Sequence, residues 1–166
     1  MHDMDAIDTQ LLALLQDDAK ASFARMGEAV GLSAPAALER VRKLEAAGVI
    51  RGYRAILSPK GVGLSVGAFI GVAIDGVDDV QRFCEYIRHK AHVLEAHHVT
   101  GSWTLMLKVR TASNSDLEML LNDLRRQMGV TRTETLVVLS TAVENTKLPV
   151  APSDSPTPQR PRGRKR

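Results

Sequence analysis

Between Gly31 and Tyr53 the chain reads GLSAPAALERVRKLEAAGVIRGY, and its charged residues are spaced to meet a polyanion and the edges of bases. At about 100° per residue, Leu38, Val41 and Leu44 form one apolar stripe; Ala36, Glu39, Arg40 and Lys43 face away from it, with Arg42 on the flank. Arg51 and Arg54 follow in an extended stretch and suit phosphate contacts. The candidate DNA-contacting set is therefore Ser33, Ala36, Glu39, Arg40, Arg42, Lys43, Arg51 and Arg54. Ala34, Pro35 and Ala36 in the first turn can make no bidentate base contact. Glu39 can accept from a cytosine amine or pair with Lys43 at i,i+4. Direct readout then rests mostly on Arg40 and Lys43. Modest base discrimination is expected, helped by DNA bending.

The elements that position these residues are legible on either side. Ser33 is a good N-cap, Pro35 falls where its missing N–H breaks no intrahelical bond, and Gly48 stops the helix. Gly31 can close a preceding helix in the left-handed conformation, so two helices would be joined by a three-residue turn, the helix-turn-helix signature. Such a second helix lays its outward face in a major groove.

Other chemistry finds less support. His97 and His98 are adjacent on an expected strand and point to opposite faces, while His89 and His92 straddle a helix-to-strand connection. No metal site, no cofactor and no catalytic residue set are expected, although one of His97 or His98 is placed to line an effector cavity. The single cysteine, Cys84, excludes a disulfide framework within the chain, suits a reducing compartment and lies on the inward stripe of a helix, where thiols are inert.

A chain of 166 residues fits one large or two small domains, and 44% apolar with 25% charged residues is ordinary for a soluble protein. No apolar run approaches the ~20 residues that span a bilayer, and the acidic start MHDMDAID lacks the apolar segment of a signal peptide. A cytoplasmic protein with no membrane partner is expected. The net charge of +3 is unevenly placed: residues 1–60 balance, residues 61–150 sum to −1, and residues 151–166 carry +4. DNA contact by the folded part must therefore come from local placement of charge.

Met4 to Asp17 carries Ile7, Leu11, Leu14 and Leu15 at helical spacing, with Asp5 as cap and Asp8 near the positive helix end. Ser22 to Val30 predicts a second helix with Phe23, Met26 and Val30 inward; there Gly27 costs about 1 kcal/mol relative to Ala. Gly48 to Ser58 reads as a strand, and the turn-rich Ser58 to Gly63 as a hinge. Beyond it, Val66–Ile74, His92–Thr100, Trp103–Val109 and Val130–Val143 read as strands, with helices over Val77–Lys90 and Ser115–Met128. The order βαββαβ is the ferredoxin-like split unit, an antiparallel sheet with both helices on one face; the uncovered face would be buried by a second copy. The division expected is 1–50 for the helix-turn-helix domain and 51–63 for a linking strand and hinge. Residues 64–148 would form the effector-binding and oligomerisation domain, and the proline-rich residues 149–166 a disordered basic tail.

With MDAIDTQLLALLQDD, GLSAPAALERVRKLEAAGVIRGYRAILSPKGVGL, VTGSWTLMLKV and GVTRTETLVVLSTAVENTKLP, the chain resembles the Lrp/AsnC (feast/famine) transcriptional regulators over roughly residues 4–148. The resemblance implies an α+β protein: an N-terminal winged helix-turn-helix domain joined to a C-terminal ferredoxin-like βαββαβ sensing domain. It further implies binding to double-stranded DNA, dimers that assemble to octamers, and a small-molecule effector, usually an amino acid, held between dimers. The effector loop would map to Thr100, Gly101, Ser102, Trp103 and Thr104, with His98 beside it. Family members often carry Gly-Asp-x-Asp there; Ser102 and Thr104 stand in place of the acids. An α-amino group would lack a charge-assisted partner worth about 1.5–3 kcal/mol per hydrogen bond. An ordinary amino acid is thus expected to bind weakly or differently, and Trp103 makes an apolar or aromatic metabolite an equal candidate. The alternative is a sirohaem-decarboxylase-like enzyme on the same fold, faintly suggested by His98 and Trp103.

Overall fold

Three side-chain oxygens start the first three helices in the same way, each accepting a backbone N–H that the first turn would leave unpaired. Asp5 caps α1 (Ala6–Asp17), Ser22 caps α2 (Phe23–Val30) and Ser33 caps α3 (Ala34–Ala46) in the computed structural model, which describes residues 4–151. At α1 the cap is reciprocal: the Asp8 N–H donates to Asp5 at 2.8 Å and the Asp5 N–H donates to Asp8 at 3.3 Å. Between α2 and α3, Gly31 adopts φ 71°, the Leu32 N–H reaches the Gly27 carbonyl at 2.8 Å and the Gly31 N–H that of Glu28 at 3.4 Å. These are the two bonds of a Schellman motif, which fix where the chain leaves α2 and enters α3.

The core of this first unit is Leu11, Met26, Ala37 and Val41, with Ile7, Leu14, Leu15, Val30 and Ile50 packed against it. Two expectations are corrected here. Phe23 is 37% exposed rather than inward, and Ala37 replaces Leu38 on the buried side of α3, Leu38 being half-buried. Exchanging Leu38 for Ala37 turns the buried arc of α3 by about 30°, which matters below.

The expected strand over residues 48–58 is absent. Residues 51–58 are exposed and belong to no ladder, so no wing forms among the described residues. A strand needs a paired neighbour, and an apolar stretch alone does not supply one. Tyr53 instead turns back on α3, its hydroxyl donating to Glu45 at 2.9 Å.

The chain divides into two units between Ala55 and Ile56 and again between Glu144 and Asn145. By this division residues 145–151 group with the three helices. The remainder of the basic tail lies outside the described residues.

In the second unit, a short 3-10 turn (Lys60–Val62) precedes β1 (Val66–Ile74), α4 (Val77–Arg88), β2 (Val93–His98), β3 (Leu105–Thr111), α5 (Asn114–Arg125) and β4 (Val130–Val137). The strands lie in the order β2-β3-β1-β4, all antiparallel, which is the expected βαββαβ arrangement. Ala68, Ile70, Val72 and Ile74 of β1 alternate onto one face with Leu105, Leu107 and Val109 of β3. Phe83 and Ile87 of α4 and Leu117, Leu120 and Leu124 of α5 cover that face. On the other face Phe69 is 40% and Leu136 57% exposed. β4 is shorter than expected because β1 begins at Val66; the last bond runs from the Val138 N–H to Gly67.

Candidate nucleic-acid interface and effector loop

The 30° turn of α3 carries Arg40 out of the outer face. Its guanidinium donates to Asp5 at 2.7 Å and to Asp8 at 2.8 Å, and Asp8 is 5% exposed. The expectation that Arg40 faces away from the protein is corrected: it cross-links α3 to the capping box of α1. Removing one partner would strand a buried charge, which is why such a pair persists. The Asp8 backbone N–H first, and then the Arg40 guanidinium, hold the Asp5 carboxyl below its ordinary 3.8, against the opposing effect of burial.

A carboxyl with a lowered folded pKa contributes stability that is whole above its unfolded value and fades as pH falls through the folded one. The Asp5 arm of the lock is therefore complete at neutral pH and opens only in acid, below the ordinary carboxylate range. Asp5 is half exposed, so Asp5→Asn is expected to lower the Tm of the first unit only slightly at pH 7. Thermal scans across pH should show variant and wild type converging in acid; a gap that stays constant into strong acid would contradict the lock.

What remains outward on α3 is Arg42 together with Lys43, which is exposed and paired at 2.9 Å with Glu39 one turn before it. Arg42, Arg51 and Arg54 are exposed and meet no carboxylate among the described residues. Ser33 is occupied as the cap of α3 and Ala36 is half-buried in its first turn. Burial and the Glu45 carboxylate push the Tyr53 hydroxyl up to about 12, so it remains a neutral donor beside the end of α3.

The loop between β2 and β3 is held on the sheet by two residues outside the expected site, Gly71 and Arg132. Gly71 in β1 stands opposite Met106 and Glu134, and the Trp103 ring lies against it; a Cβ on Gly71 would come 2.6 Å from Trp103 Cδ2. The Arg132 guanidinium sits over the same ring, 4.2 Å from its centroid, and donates to the Ser102 carbonyl at 3.3 Å. Thr104 extends the ladder: its N–H reaches Val72 at 2.9 Å and its hydroxyl accepts from Ile74 at 3.0 Å. Trp103 and Thr104 are thus engaged in packing and pairing, and Thr100, Gly101 and Ser102 are the exposed part of the loop.

The signal for this arrangement is a glycine inside an apolar strand, which marks a close approach. Gly71→Ala is expected to lift the ring, shift the emission of the single tryptophan and cost about 1–3 kcal/mol in the second unit. An unchanged spectrum and Tm would contradict it.

His97 and His98 point to opposite sides of β2, as their adjacency requires. His97 contacts Glu95 at 3.2 Å, whereas His98 lies 3.8 Å from the Cys84 thiol. His98 lines a groove of about 350 Å³ with Cys84, Ile87, Arg88, Leu94 and Ala96, and none of residues 100–104 lines it. Among the described residues no three His, Cys, Asp or Glu side chains gather as a metal site, and no helix is long and apolar enough to cross a membrane.

A capped helix-turn-helix in one unit and a βαββαβ sheet with a strapped loop in the other define a DNA-binding regulator fused to a ligand-binding domain. The AsnC-type helix-turn-helix domain matches residues 4–45 and the Lrp/AsnC ligand binding domain matches residues 67–148. The chain belongs to the Lrp/AsnC family of transcriptional regulators. It is 31% identical over 147 residues to the HTH-type transcriptional regulator FL11 of Pyrococcus abyssi, covering 89% of this chain and 97% of that one. It is 35% identical over 149 residues to the leucine-responsive regulatory protein of Escherichia coli, covering 88% and 91%. A transcriptional regulator of Neisseria meningitidis in complex with L-Met superposes with a TM-score of 0.84 at 30% identity, covering 88% and 96%. Escherichia coli AsnC gives 0.81 at 30%, covering 87% and 97%. These relatives are regulators, and the decarboxylase alternative gains nothing from them.

Proposed function

We propose that α3 enters a major groove with Arg42 and Lys43 toward the DNA, Glu39 between them, and the first turn from Ser33 to Ala36 near a phosphate. Arg51 and Arg54 then follow the backbone, and Arg40 holds the helix at its angle instead of reading bases. The observation that carries this is the exposure of Arg42 and Lys43 on a helix whose entry is fixed by the Schellman turn and whose inner side is locked to α1. Two copies would join through the open sheet face, where Phe69 and Leu136 stand exposed, and such dimers would assemble to octamers.

The effector is a small molecule, an amino acid or related metabolite, held by Thr100, Gly101 and Ser102 against a second dimer, with Trp103 and Thr104 as the loop's supports; His98, in the groove beside Cys84, is left out of this set. The Neisseria regulator's complex with L-Met supports that class. Exposed hydroxyls and backbone N–H groups suit its carboxylate, while the missing loop acids leave its ammonium group poorly met.

A mobility-shift titration on the duplex upstream of its own coding sequence, repeated with a panel of amino acids, tests the reading. Retardation of that duplex ahead of a scrambled one, altered by at least one ligand, is expected. No preference over the scrambled duplex would overturn it.

A further inference from the structure

The groove that His98 lines owes its openness to its place in the fold. β2 is an edge of the sheet, and about 350 Å³ lies between that strand and α4. Small-molecule clefts begin at about this size, roughly 300 Å³. The pairing of β2 with β3 slips by one residue between Val93 and Glu95, which makes Leu94 the extra residue of a bulge. Leu94 is left 49% exposed on one wall, while Ile87 of α4 and Leu105 of β3, both buried, form the floor.

The polar groups of the groove are few and chiefly of one sign. Cys84 and Arg88 stand one turn apart on α4, and the His98 Nε2 lies 3.8 Å from the Cys84 Sγ. Cys84 is half-buried, so the inward stripe expected for α4 holds for Phe83 and Ile87 and not fully for the thiol. Arg88 meets Glu85 through Nε at 3.3 Å, but both side chains are well exposed, at 70% and 63%, and such a pair exchanges readily. Glu95 is the one acid on the lining, and its carboxylate is already held by Lys108 at 3.0 Å and His97 at 3.2 Å.

We propose that this groove is a small-molecule site separate from the effector loop, and that it takes a monocarboxylate with an apolar body. The carboxylate would meet the Arg88 guanidinium and the His98 imidazole, with the body along Ile87, Leu94 and Ala96. Charge complementarity selects the occupant: a cation stands at an apolar groove and no free acid faces it, so an anion is favoured and an α-ammonium group finds no partner. The class therefore differs from the amino acid proposed at Thr100 to Ser102, and none of those residues lines the groove.

The chain has one cysteine and one tryptophan, which report on the two places separately. Alkylation of Cys84 by iodoacetamide, followed by mass spectrometry at rising hexanoate or phenylacetate, reads occupation of the groove, and Trp103 emission reads the loop. Saturable slowing of alkylation by either acid is expected, with the emission unchanged. The matching amides keep the body and lose the charge, and should need concentrations about tenfold higher or more. Arg88→Gln, at an exposed position, should bring the acids to the level of the amides with an unaltered Tm. Ala96→Phe fills the groove from an exposed position and should remove the effect of both acids. No slowing at saturating acid, equal protection by acid and amide, or protection that persists in Ala96→Phe would overturn the proposal. Protection that rises with protein concentration alone would seat a second copy on the β2 edge and would equally overturn it. The readout contains no DNA, so its outcome is independent of the reading of α3.

Discussion

Gly27→Ala should destabilise the first unit by about 2 kcal/mol and lower its Tm by about 10 °C, the reverse of what helix propensity predicts. Propensity alone favours alanine in α2 by about 1 kcal/mol. The structure opposes that gain with a close approach. A Cβ on Gly27 would stand 2.5 Å from the Leu32 carbonyl oxygen and 3.1 Å from the Ser33 carbonyl carbon and oxygen. All three are backbone atoms, and Leu32 is bonded back to the Gly27 carbonyl, so the obstruction cannot swing aside as a side chain would. The turn between α2 and α3 must open instead, tilting the helix that carries Arg42 and Lys43. A loss of DNA affinity should accompany the loss of stability. Circular dichroism melts of Gly27→Ala beside Ala29→Gly, an exposed position with only the propensity cost, separate the two effects. A Gly27→Ala protein melting above wild type would show that the turn has room to spare.

The second large effect belongs to the outer face of α3. Reversing both charges there, Arg42→Glu with Lys43→Glu, should weaken binding of the upstream duplex at least about 100-fold. Each contact of this kind is worth about 1–3 kcal/mol, and a dimer makes it twice. The fold should hardly notice. Both residues are exposed, and the principal structural cost is Lys43→Glu placed four residues after Glu39, a like-charge pair worth a few tenths of a kcal/mol. Arg40→Gln should behave in the opposite sense. It removes the partner of Asp5 and of the buried Asp8, so its Tm should fall by an amount fitting the loss of a partly buried pair, with DNA affinity following through the displaced helix. Stability and affinity thus separate at residues 42 and 43 and move together at residue 40.

The contrast between Arg40 and Lys43 also shows where the sequence could be read and where it could not. Caps and stops were legible because they depend on one residue and its near neighbours: Asp5, Ser33 and Gly31 act as expected. The order of strands and helices in the second unit was legible as well, since alternation and helical spacing are local. Which of Ala37 or Leu38 is buried was not legible. Either fits a helical stripe, and the choice depends on how closely α1 and α2 approach α3; the small side chain wins at the tight crossing and carries Arg40 toward the acids of α1. Val49, Ile50, Tyr53, Ile56 and Leu57 make an apolar stretch that reads as a strand, yet Ile56 is 86% exposed, because pairing partners are not written in the segment itself. The apolar rhythm of β4 likewise continues to Val143, past the point where β1 can answer it. Trp103 reads as strand and as ligand surface alike; only Gly71, thirty-two residues earlier, explains why it packs on the sheet.

The central claim is that the outer side of α3 is the surface that meets DNA. Anisotropy titration of the upstream duplex at moderate salt with wild type and with the Arg42→Glu, Lys43→Glu protein, both of equal melting temperature, measures it directly. Tight binding by wild type and its near abolition in the variant is the predicted result. Equal affinity of two equally folded proteins would place the DNA surface elsewhere on the molecule.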